Sequence, residues 1–361
     1  MSGIVGFFKE PPLPKFVVYK QNLDIMKTNL TSSIIAAAII STAAFSQDPE
    51  FTQFYANPVY LNPAFAGSAQ CPRLTLNYRN QWPGIENAFQ TYSGSYDQYM
   101  KKLSGGIALQ VVRDGSGKGT FQTTSVAASY AYHTPLIKKL SMSAGIKVGF
   151  VQKSIDWQAL TYGDMIDKNK GFVYESSEQA GVDSRSNIDL SAGAMVFSER
   201  IFVGFAVNHL AQPQIGLTNQ DARLIRRYTG HAGVTIPIGG DNVSNLSLSP
   251  NVLFTSQDNF NQLNLGLYVK KGLLTAGFWY RSNDAMIALI GIQTAKYKIG
   301  YSYDITLSKL SQNSAGAHEV SFTFQFPCKT KKRKYTGENC KAQTQLPGKK
   351  TKFSKITCPS F

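Results

Sequence analysis

Residues Leu140 to Phe150 read Leu-Ser-Met-Ser-Ala-Gly-Ile-Lys-Val-Gly-Phe, and this stretch decides the fold. Every second residue, starting at Leu140, is apolar, and the residues between are small or polar. Successive side chains of a β-strand point to opposite faces, so the pattern predicts a strand with one apolar face. Strands of soluble sheets typically run ~5–6 residues, whereas a tilted membrane-crossing strand needs about 9–11. The stretch therefore favours a transmembrane β-strand.

The same alternation recurs from Leu74 to Phe326, with turn residues between the alternating segments. It is clear in 74–79, in 263–270 and in 319–326, where apolar Val320, Phe322, Phe324 and Phe326 alternate with polar residues. We predict an all-β protein, an outer-membrane β-barrel of about 14 antiparallel strands. The strands are expected at 74–80, 90–99, 105–113, 120–133, 140–156, 187–198, 201–210, 228–237, 246–257, 261–270, 273–281, 285–294, 297–308 and 317–326.

The connections between these strands alternate in length. An even number of strands returns both chain ends to one side of the membrane, which for an exported barrel is the periplasm. The longest connections, 157–186 and 211–227, then fall outside the cell, and the tight turns at 271–272 and 295–296 fall inside. Outer-membrane barrels have this asymmetry of long outer loops and short inner turns.

The charge of the chain excludes one class of partner. The formal net charge is +15, but residues 47–326 carry 23 basic against 19 acidic side chains, so the barrel region is nearly neutral. This predicts no nucleic-acid partner. Charged residues make up 16% of the chain against ~25% in ordinary soluble domains, which also disfavours a cytoplasmic enzyme.

The N-terminal residues 1–46 are interpreted as an extension followed by a secretory signal peptide. We expect the start at Met26, which leads through Lys27 into the apolar run 34–40 and then Ala44-Phe45-Ser46, and this predicts cleavage before Gln47. An N-terminal membrane anchor is the alternative, but the apolar run is short and ends in a small-residue site. The mature chain is therefore expected to be exported to a space that permits disulfides.

Two regions lie outside the barrel pattern. Residues 47–73 contain aromatic residues and the pairs Asn57-Pro58 and Asn62-Pro63, and we expect them to form a plug in the lumen or to lie at the periplasmic mouth. The tail, residues 327–361, is basic. A run of charge is usually solvated, but a periplasmic patch for an anionic partner is the alternative, formed by Lys329, Lys331, Lys332, Arg333 and Lys334.

Residues that suggest an enzyme do not form a convincing site. The loop 115–120 resembles a phosphate loop. That pattern requires Gly at position 112 and Ser or Thr at position 119, where this chain has Val112 and Gly119, so the match fails. His209 and His231 lie on neighbouring predicted strands near Asp189, yet no serine stands out as a nucleophile. We therefore predict no catalytic residues, no cofactor and no metal site.

The segment 47–67, which begins Gln-Asp-Pro-Glu-Phe-Thr-Gln-Phe-Tyr-Ala-Asn-Pro, resembles the mature N-terminus of the PorP/SprF family. This family consists of outer-membrane proteins of the Bacteroidetes type IX secretion system. Further similar segments are Arg79-Asn80-Gln81-Trp82-Pro83-Gly84, Asn208-His209-Leu210-Ala211-Gln212-Pro213, Gly300-Tyr301-Ser302-Tyr303-Asp304 and Gly316-Ala317-His318-Glu319-Val320. The resemblance spans residues 47–326 in order.

The resemblance implies a role in the secretion or surface attachment of adhesins, including those of gliding motility. Its implied partners are a secreted adhesin client, periplasmic and outer-membrane components of the secretion machine, and outer-membrane lipid. We expect a docking scaffold, because a fourteen-stranded barrel is narrower than the 16–18-stranded porins. The alternative is an outer-membrane diffusion channel for small or hydrophobic solutes.

Loop 157–186 is the candidate surface for a secreted client. Its aromatic side chains suit an interface, although a loop that packs on itself over the barrel mouth is an equal alternative. These aromatic residues are Trp157, Tyr162, Phe172 and Tyr174.

Barrel closure makes a prediction about cysteines. The first and last strands of a closed barrel are neighbours, so Cys71 and Cys328 should reach the same seam and could form a disulfide. Cys340 and Cys358 would then pair within the tail. Four cysteines allow three connectivities, and free thiols or another pairing remain alternatives.

Overall fold

The alternating stretch at 140–150 forms part of a long strand in a computed structural model of the chain. The structure describes residues 48–328 except 86–88, 138–139, 168, 173, 175, 177–180, 219–221, 239–245, 283 and 308–314. The predicted signal peptide and most of the basic tail, including Cys340 and Cys358, lie outside the described residues.

Seventeen strands follow one another along the described chain. They are β1 (Arg73–Gln81), β2 (Phe89–Met100), β3 (Gly105–Ser116), β4 (Phe121–Ile137), β5 (Leu140–Ile155), β6 (Ile166–Asp167), β7 (Gly171–Phe172), β8 (Ser184–Phe197), β9 (Ile201–Asn208), β10 (Arg227–Val234), β11 (Ile236–Ile238), β12 (Leu246–Gln257), β13 (Phe260–Lys271), β14 (Leu274–Arg281), β15 (Ala285–Gln293), β16 (Tyr297–Thr306) and β17 (Ala317–Gln325).

The strands close into an antiparallel barrel. Each barrel strand pairs with the barrel strand that follows it along the chain, β5 pairs with β8, β10 pairs with both β9 and β12, and β1 pairs with β17 to complete the ring. The short strand β11 continues the position of β10 against β12, while β6 and β7 form a separate hairpin in the loop after β5. The barrel therefore has fourteen strand positions, which confirms the predicted number.

Most predicted strands differ from the observed ones by a few residues at their ends, and two of these differences have a clear local cause. The strand predicted at 201–210 stops at Asn208, because His209 has a φ of +57°, a left-handed conformation that leaves the strand. The strand predicted at 228–237 is interrupted at Thr235, just before Pro237, which has no backbone N–H to give to a sheet. Both differences lie at strand ends.

The two ends of the barrel differ in the length of their connections. One end, here called the long-loop end, carries the connections after β1, β3, β5, β9, β12, β14 and β16, including the 28-residue connection 156–183. The other end, the short-turn end, carries the remaining connections and both chain termini of the barrel. This is the asymmetry predicted from the sequence.

The two faces of the wall follow the period-two alternation. Apolar side chains such as Phe150 and Ile290 are 63% and 65% exposed on the outer face. Small and polar side chains such as Thr75 and Asn77 are buried on the lumenal face. This outward apolar face is the surface that meets lipid in an outer-membrane barrel. None of the helices among the described residues is long and apolar enough to span a bilayer.

A charge placed on the outer face should prevent assembly. We expect Ile290→Lys, near the middle of β15, to destabilise the inserted barrel by about 2–4 kcal/mol, because a lysine at the centre of the bilayer is poorly solvated. Surface levels of the protein in outer-membrane fractions measure the effect, with Ile290→Leu as the control. Normal levels of the lysine variant would show that this face does not meet lipid.

Candidate functional site

Residues 48–72, here called the lumenal segment, run inside the barrel from one end to the other. Asp48 contacts His209 at the long-loop end, and Gly67 donates a backbone hydrogen bond to Asp97 near the short-turn end. Nearly all side chains between them are buried. The segment therefore occupies the space that an open pore would need.

Two Asn-Pro pairs shape the lumenal segment. Pro58 begins a one-turn helix, Pro58–Leu61, and Pro63 begins the next short turn, Pro63–Phe65. Proline suits the first position of a helical turn because its missing N–H would have no partner there. Asn62 supports the second turn, since its side-chain oxygen accepts a hydrogen bond of 2.9 Å from the Ala64 amide. The pairs thus start single turns rather than only breaking regular structure.

Glycines in the barrel wall make room for this segment. A Cβ atom at Gly145 would lie 2.6 Å from the backbone of Pro63 and Ala64. At Gly106 it would lie 2.2 Å from the Ala66 carbonyl oxygen. Both distances are below any tolerated contact, so the wall and the segment approach each other only because these positions lack side chains.

A buried polar network binds the lumenal segment to the barrel seam. The Thr52 and Gln53 amides donate hydrogen bonds of 2.5 and 3.2 Å to the carboxyl group of Glu319. The Thr52 hydroxyl donates to Asp304 at 2.8 Å. Arg79 completes the network, 2.9 Å from Asp304 and 3.5 Å from Glu319. The segment is thus tied to β1, β16 and β17 at once.

A second arginine extends the network. Arg281 Nη1 lies 3.3 Å from Asp304 and 3.1 Å from Asp284, the last residue before β15. The side chains of Arg79, Arg281 and Asp304 are each only 3% exposed. Buried charges of this kind are costly unless each one is paired, so the arrangement constrains the positions of all its members.

Aromatic contacts fill the remaining space. Phe54 meets Trp279 edge to face with ring centroids 5.0 Å apart, and Tyr55 meets Phe202 at 5.4 Å. Phe65 stacks on His231 at 5.4 Å. Such pairs contribute beyond the area they bury. The lumen therefore contains an apolar core around residues 54, 55 and 65 in addition to the polar network.

An ion-pair cluster holds the start of the lumenal segment at the long-loop end. His209 lies between two carboxylates, with Nε2 2.7 Å from Asp48 and Nδ1 3.0 Å from Asp189. Burial disfavours the imidazolium, but the two carboxylates outweigh it and raise the pKa of His209 to about 9. Burial likewise opposes ionisation of Asp48, but His209 and Arg227 outweigh it and lower the pKa of Asp48 to about 2. Both groups are charged near neutral pH.

The histidines do not assemble a recognisable catalytic or metal site. His209 and Asp189, which the sequence analysis considered together, are in contact, but both ring nitrogens of His209 face carboxylates. His231 instead lies beside Asn62, and its Nε2 is 3.1 Å from Asn62 Nδ2. Within the described part of the chain, no group of three or more His, Cys, Asp or Glu side chains could hold a metal ion.

A disulfide lies at the barrel seam. Cys71 is bonded to Cys328, with Cα atoms 4.8 Å apart, across the junction of β1 and β17 at the short-turn end. Nearby, Arg73 forms an ion pair of 2.7 Å with Asp97, which also accepts the Gly67 amide. The end of the lumenal segment is therefore fixed both covalently and by charge.

The long loop after β5 packs partly on itself. Tyr174 is 58% exposed and its hydroxyl donates to Asp167 at 3.1 Å, across the β6–β7 hairpin that includes the backbone of Phe172. Trp157 and Tyr162 are half-buried. Trp157 donates a long hydrogen bond of 3.4 Å to the Val182 carbonyl oxygen. Of the four predicted interface residues, Tyr174 is thus the clearly exposed one among the described side chains.

This loop also joins its neighbour. The Val182 amide donates to the Leu217 carbonyl at 3.0 Å, and Asn187, on β8 just after the loop, donates to the Gln214 carbonyl. Connections 156–183 and 209–226 therefore form one surface, here called the loop platform.

Sequence reasoning missed the charged contacts of the lumen. Arg79 and Glu319 were placed on the polar face of their strands, but their partners in the lumenal segment were not foreseen. A signal was present, since these two side chains are charged while most others on the lumenal face are small or uncharged. A lone charge at a lumenal position indicates that something must neutralise it.

The chain is similar to known proteins at two levels. A family model described as type IX secretion system membrane protein PorP/SprF matches residues 43–324. A comparison with curated proteins finds no match.

Solved structures with a similar fold include outer-membrane proteins and channels. Omp33 of Acinetobacter baumannii aligns with a TM-score of 0.40 at 7% identity, over 72% of this chain and 100% of Omp33. A FadL homologue of Pseudomonas aeruginosa aligns with a TM-score of 0.37 at 13% identity, over 74% and 93% of the two chains. The CymD monoaromatic hydrocarbon channel aligns with a TM-score of 0.43 at 11% identity, over 75% and 93%.

The seam disulfide can be tested chemically. We expect Cys71 and Cys328 of the native protein to resist alkylation until reduced, and non-reducing peptide mapping to recover the linked peptide. Replacing both by serine should lower the free energy of unfolding by roughly 2–5 kcal/mol, because the bond closes a long loop in the unfolded chain. Alkylation of Cys71 without reduction would contradict the assignment.

A side chain at Gly145 should displace the lumenal segment. We expect Gly145→Ala to cost about 1–3 kcal/mol, because its Cβ would overlap the Pro63 backbone. Thermal unfolding and planar-bilayer conductance measure the result, and the variant should conduct more than the wild type. The control is Gly230→Ala, since a Cβ at Gly230 meets nothing within 4 Å. Equal melting temperatures and equal conductance of the two variants would show that the segment does not contact the wall at Gly145.

The pH dependence of stability tests the His209 cluster. The pKa of His209 is raised to about 9. Its contribution to the free energy of unfolding is therefore fully present below its ordinary pKa of about 6.5 and is lost as pH rises through 9. The contribution of Asp48 is lost only as pH falls through about 2. Melting temperatures measured from pH 6 to 10 should therefore fall in the wild type and fall less in His209→Asn. The control is His318→Asn, outside the cluster, which should keep the wild-type slope.

Proposed function

This chain belongs to the PorP/SprF family of type IX secretion system membrane proteins, and we propose that it is a docking scaffold that attaches a secreted adhesin at the cell surface. It is a β-barrel of the outer membrane and a component of that secretion system. The observation that carries the scaffold proposal is the lumenal segment, which occupies the barrel from Asp48 to Gly67. The adhesins concerned include the kind used in gliding motility.

The filled lumen favours docking over transport. A fourteen-stranded barrel is narrower than the porins that hold open water-filled channels. Here its interior is further occupied by residues 51–66, whose side chains are almost all buried. A folded client domain would need far more space, so its path lies elsewhere and the barrel provides a surface. In this proposal the lumenal segment acts as a plug.

The proposed orientation follows from the chain ends. Arg73 and Gln325, where the barrel begins and ends, pair with each other at the short-turn end. For a chain exported with an N-terminal signal peptide, as residues 26–46 suggest, we place these two ends of the wall in the periplasm. The lumenal segment then begins with Asp48 at the outer mouth and reaches the periplasmic side at Cys71. The loop platform then faces the outside of the cell.

The loop platform is the proposed client surface. Exposed apolar side chains lie on it beside mixed charges, and Ile166 and Val182 are 50% and 46% exposed in addition to Tyr174. Interfaces commonly combine exposed aromatic or aliphatic anchors with a polar rim. The hydrogen bond from the Val182 amide to the Leu217 carbonyl joins the two connections, so the platform is partly ordered before a partner arrives.

On the periplasmic side, we propose contacts with other components of the secretion machine. The basic patch of the tail, Lys329 to Lys334, is the candidate for an anionic partner there. It lies outside the described residues. The seam disulfide would fix its starting point at the barrel rim, because Cys328 directly precedes the patch.

Affinity purification from native outer membrane tests the proposal. We expect the wild type to recover a large adhesin and periplasmic machine components, and Ile166→Ser with Tyr174→Ser to lose most of the adhesin while staying inserted. A matched control, Ile85→Ser with Leu307→Ser, removes two exposed apolar side chains elsewhere at the long-loop end. A version lacking residues 329–361 should keep the adhesin and lose machine components in a salt-dependent way.

Two outcomes would contradict the scaffold proposal. Equal adhesin recovery by the loop double variant and its control would remove the loop platform from the client contact. A barrel recovered without partners, together with solute conductance of the wild-type protein in planar bilayers, would favour the diffusion channel instead.

A further inference from the structure

The short-turn end carries an excess of exposed positive charge. Among the described residues, five cationic side chains are exposed in its turns or at the strand end beside them: Lys101, Lys102, Arg200, Lys271 and Lys296. The exposed acidic residue described there is Glu199. Asp97, also near this end, is buried in its ion pair with Arg73. The rim therefore presents a net positive surface before the tail is considered.

The long-loop end has a different balance. Its exposed acidic side chains, within the described ranges, are Asp156, Asp164, Asp183 and Asp258, and its exposed basic side chains are Arg113, Lys118, Lys170, Arg223 and Arg226. The negative and positive charges nearly cancel at that end. The excess of cations on the rim is thus a property of one end of the barrel and not of the whole surface.

The rim cations are distributed around the circumference. They lie in the turns between β2 and β3, β8 and β9, β13 and β14, and β15 and β16. In the barrel these turns are separated from one another by one or more strand pairs. A single compact partner would meet one arc of this ring, whereas a lipid layer surrounds all of it.

Each of these cationic turns also exposes a large apolar side chain. Leu103 follows Lys102 directly, Ile201 follows Arg200, Leu273 and Leu274 come soon after Lys271, and Tyr297 follows Lys296. These five apolar side chains are 46–63% exposed. Ile201 and Leu274 continue the outward face of the wall, because the next residue of each strand, Phe202 or Thr275, is buried in the lumen. The cations therefore lie at the edge of the apolar band.

We propose that the short-turn rim binds the headgroups of anionic phospholipids in the adjoining leaflet. Its lysines and Arg200 would meet phosphate groups while the neighbouring aliphatic side chains remain among the acyl chains. Long basic side chains commonly adopt this arrangement at membrane interfaces. The inference goes beyond the secretion role and does not depend on it.

Binding of phosphatidylglycerol to the full-length barrel tests the proposal. The protein is reconstituted in vesicles of equal phosphatidylglycerol and phosphatidylcholine, and the lipids retained on the released barrel are counted by native mass spectrometry. We expect the wild type to retain phosphatidylglycerol preferentially. Lys271→Gln with Lys296→Gln should reduce that preference several-fold, since each cation near an anionic surface contributes about a fivefold factor.

A matched variant distinguishes the effect of where the lysines lie from the effect of the net charge of the protein. Lys118→Gln with Lys170→Gln removes two exposed lysines from the long-loop end and should leave the preference unchanged. All three proteins keep the basic tail, so the tail contributes equally to each. The proposal is overturned if the wild type shows no preference for phosphatidylglycerol, or if the two double variants lose the preference equally. Melting temperatures of the three proteins in phosphatidylcholine alone confirm that both variants are folded.

Discussion

Charge buried inside a barrel has to be neutralised by other buried groups, and this requirement organises the interior of the protein. Arg79 on β1 and Asp304 on β16 pair at 2.9 Å with almost no exposure to solvent. Glu319 on β17 accepts the amides of Thr52 and Gln53. Removing one partner of a buried pair typically costs about 3–5 kcal/mol, because the other charge remains without compensation. The lumenal segment is therefore part of the electrostatic balance of the wall.

The wall could be predicted from the sequence, whereas most contacts inside it could not. Alternation with period two is local, so stretches such as 140–150 revealed the strands, and the even strand number brought both ends together. The contacts of the lumen join distant residues, as in the hydrogen bond from Thr52 to Glu319 across 267 positions. No local pattern indicates which lumenal charge meets which backbone amide. Cys71 and Cys328 are exceptional among distant pairs, because barrel closure alone brings them to one seam.

The segments that carry the family resemblance meet inside the barrel. The motif at 47–67 supplies Asp48, Thr52 and Gln53. Four other motifs supply their partners: Arg79, His209, Asp304 and Glu319. Motifs far apart in the chain thus serve one arrangement, the fastening of the lumenal segment. This gives a physical reason why the resemblance lies in those short pieces rather than in the apolar face, where many side chains would serve equally well.

The lumenal segment is bound to the wall at three levels along the barrel axis, and these contacts oppose the opening of a channel. Asp48 is held by His209 at the long-loop end, Thr52 and Gln53 are held by the seam strands, and Cys71 is bonded at the short-turn end. Opening a channel would require the ion pairs and the buried hydrogen bonds to be lost together, since releasing one level leaves the others in place. A docking scaffold requires no such step. A filled lumen supports the wall from within, which suits the proposal that the loops at the long-loop end serve as a fixed surface.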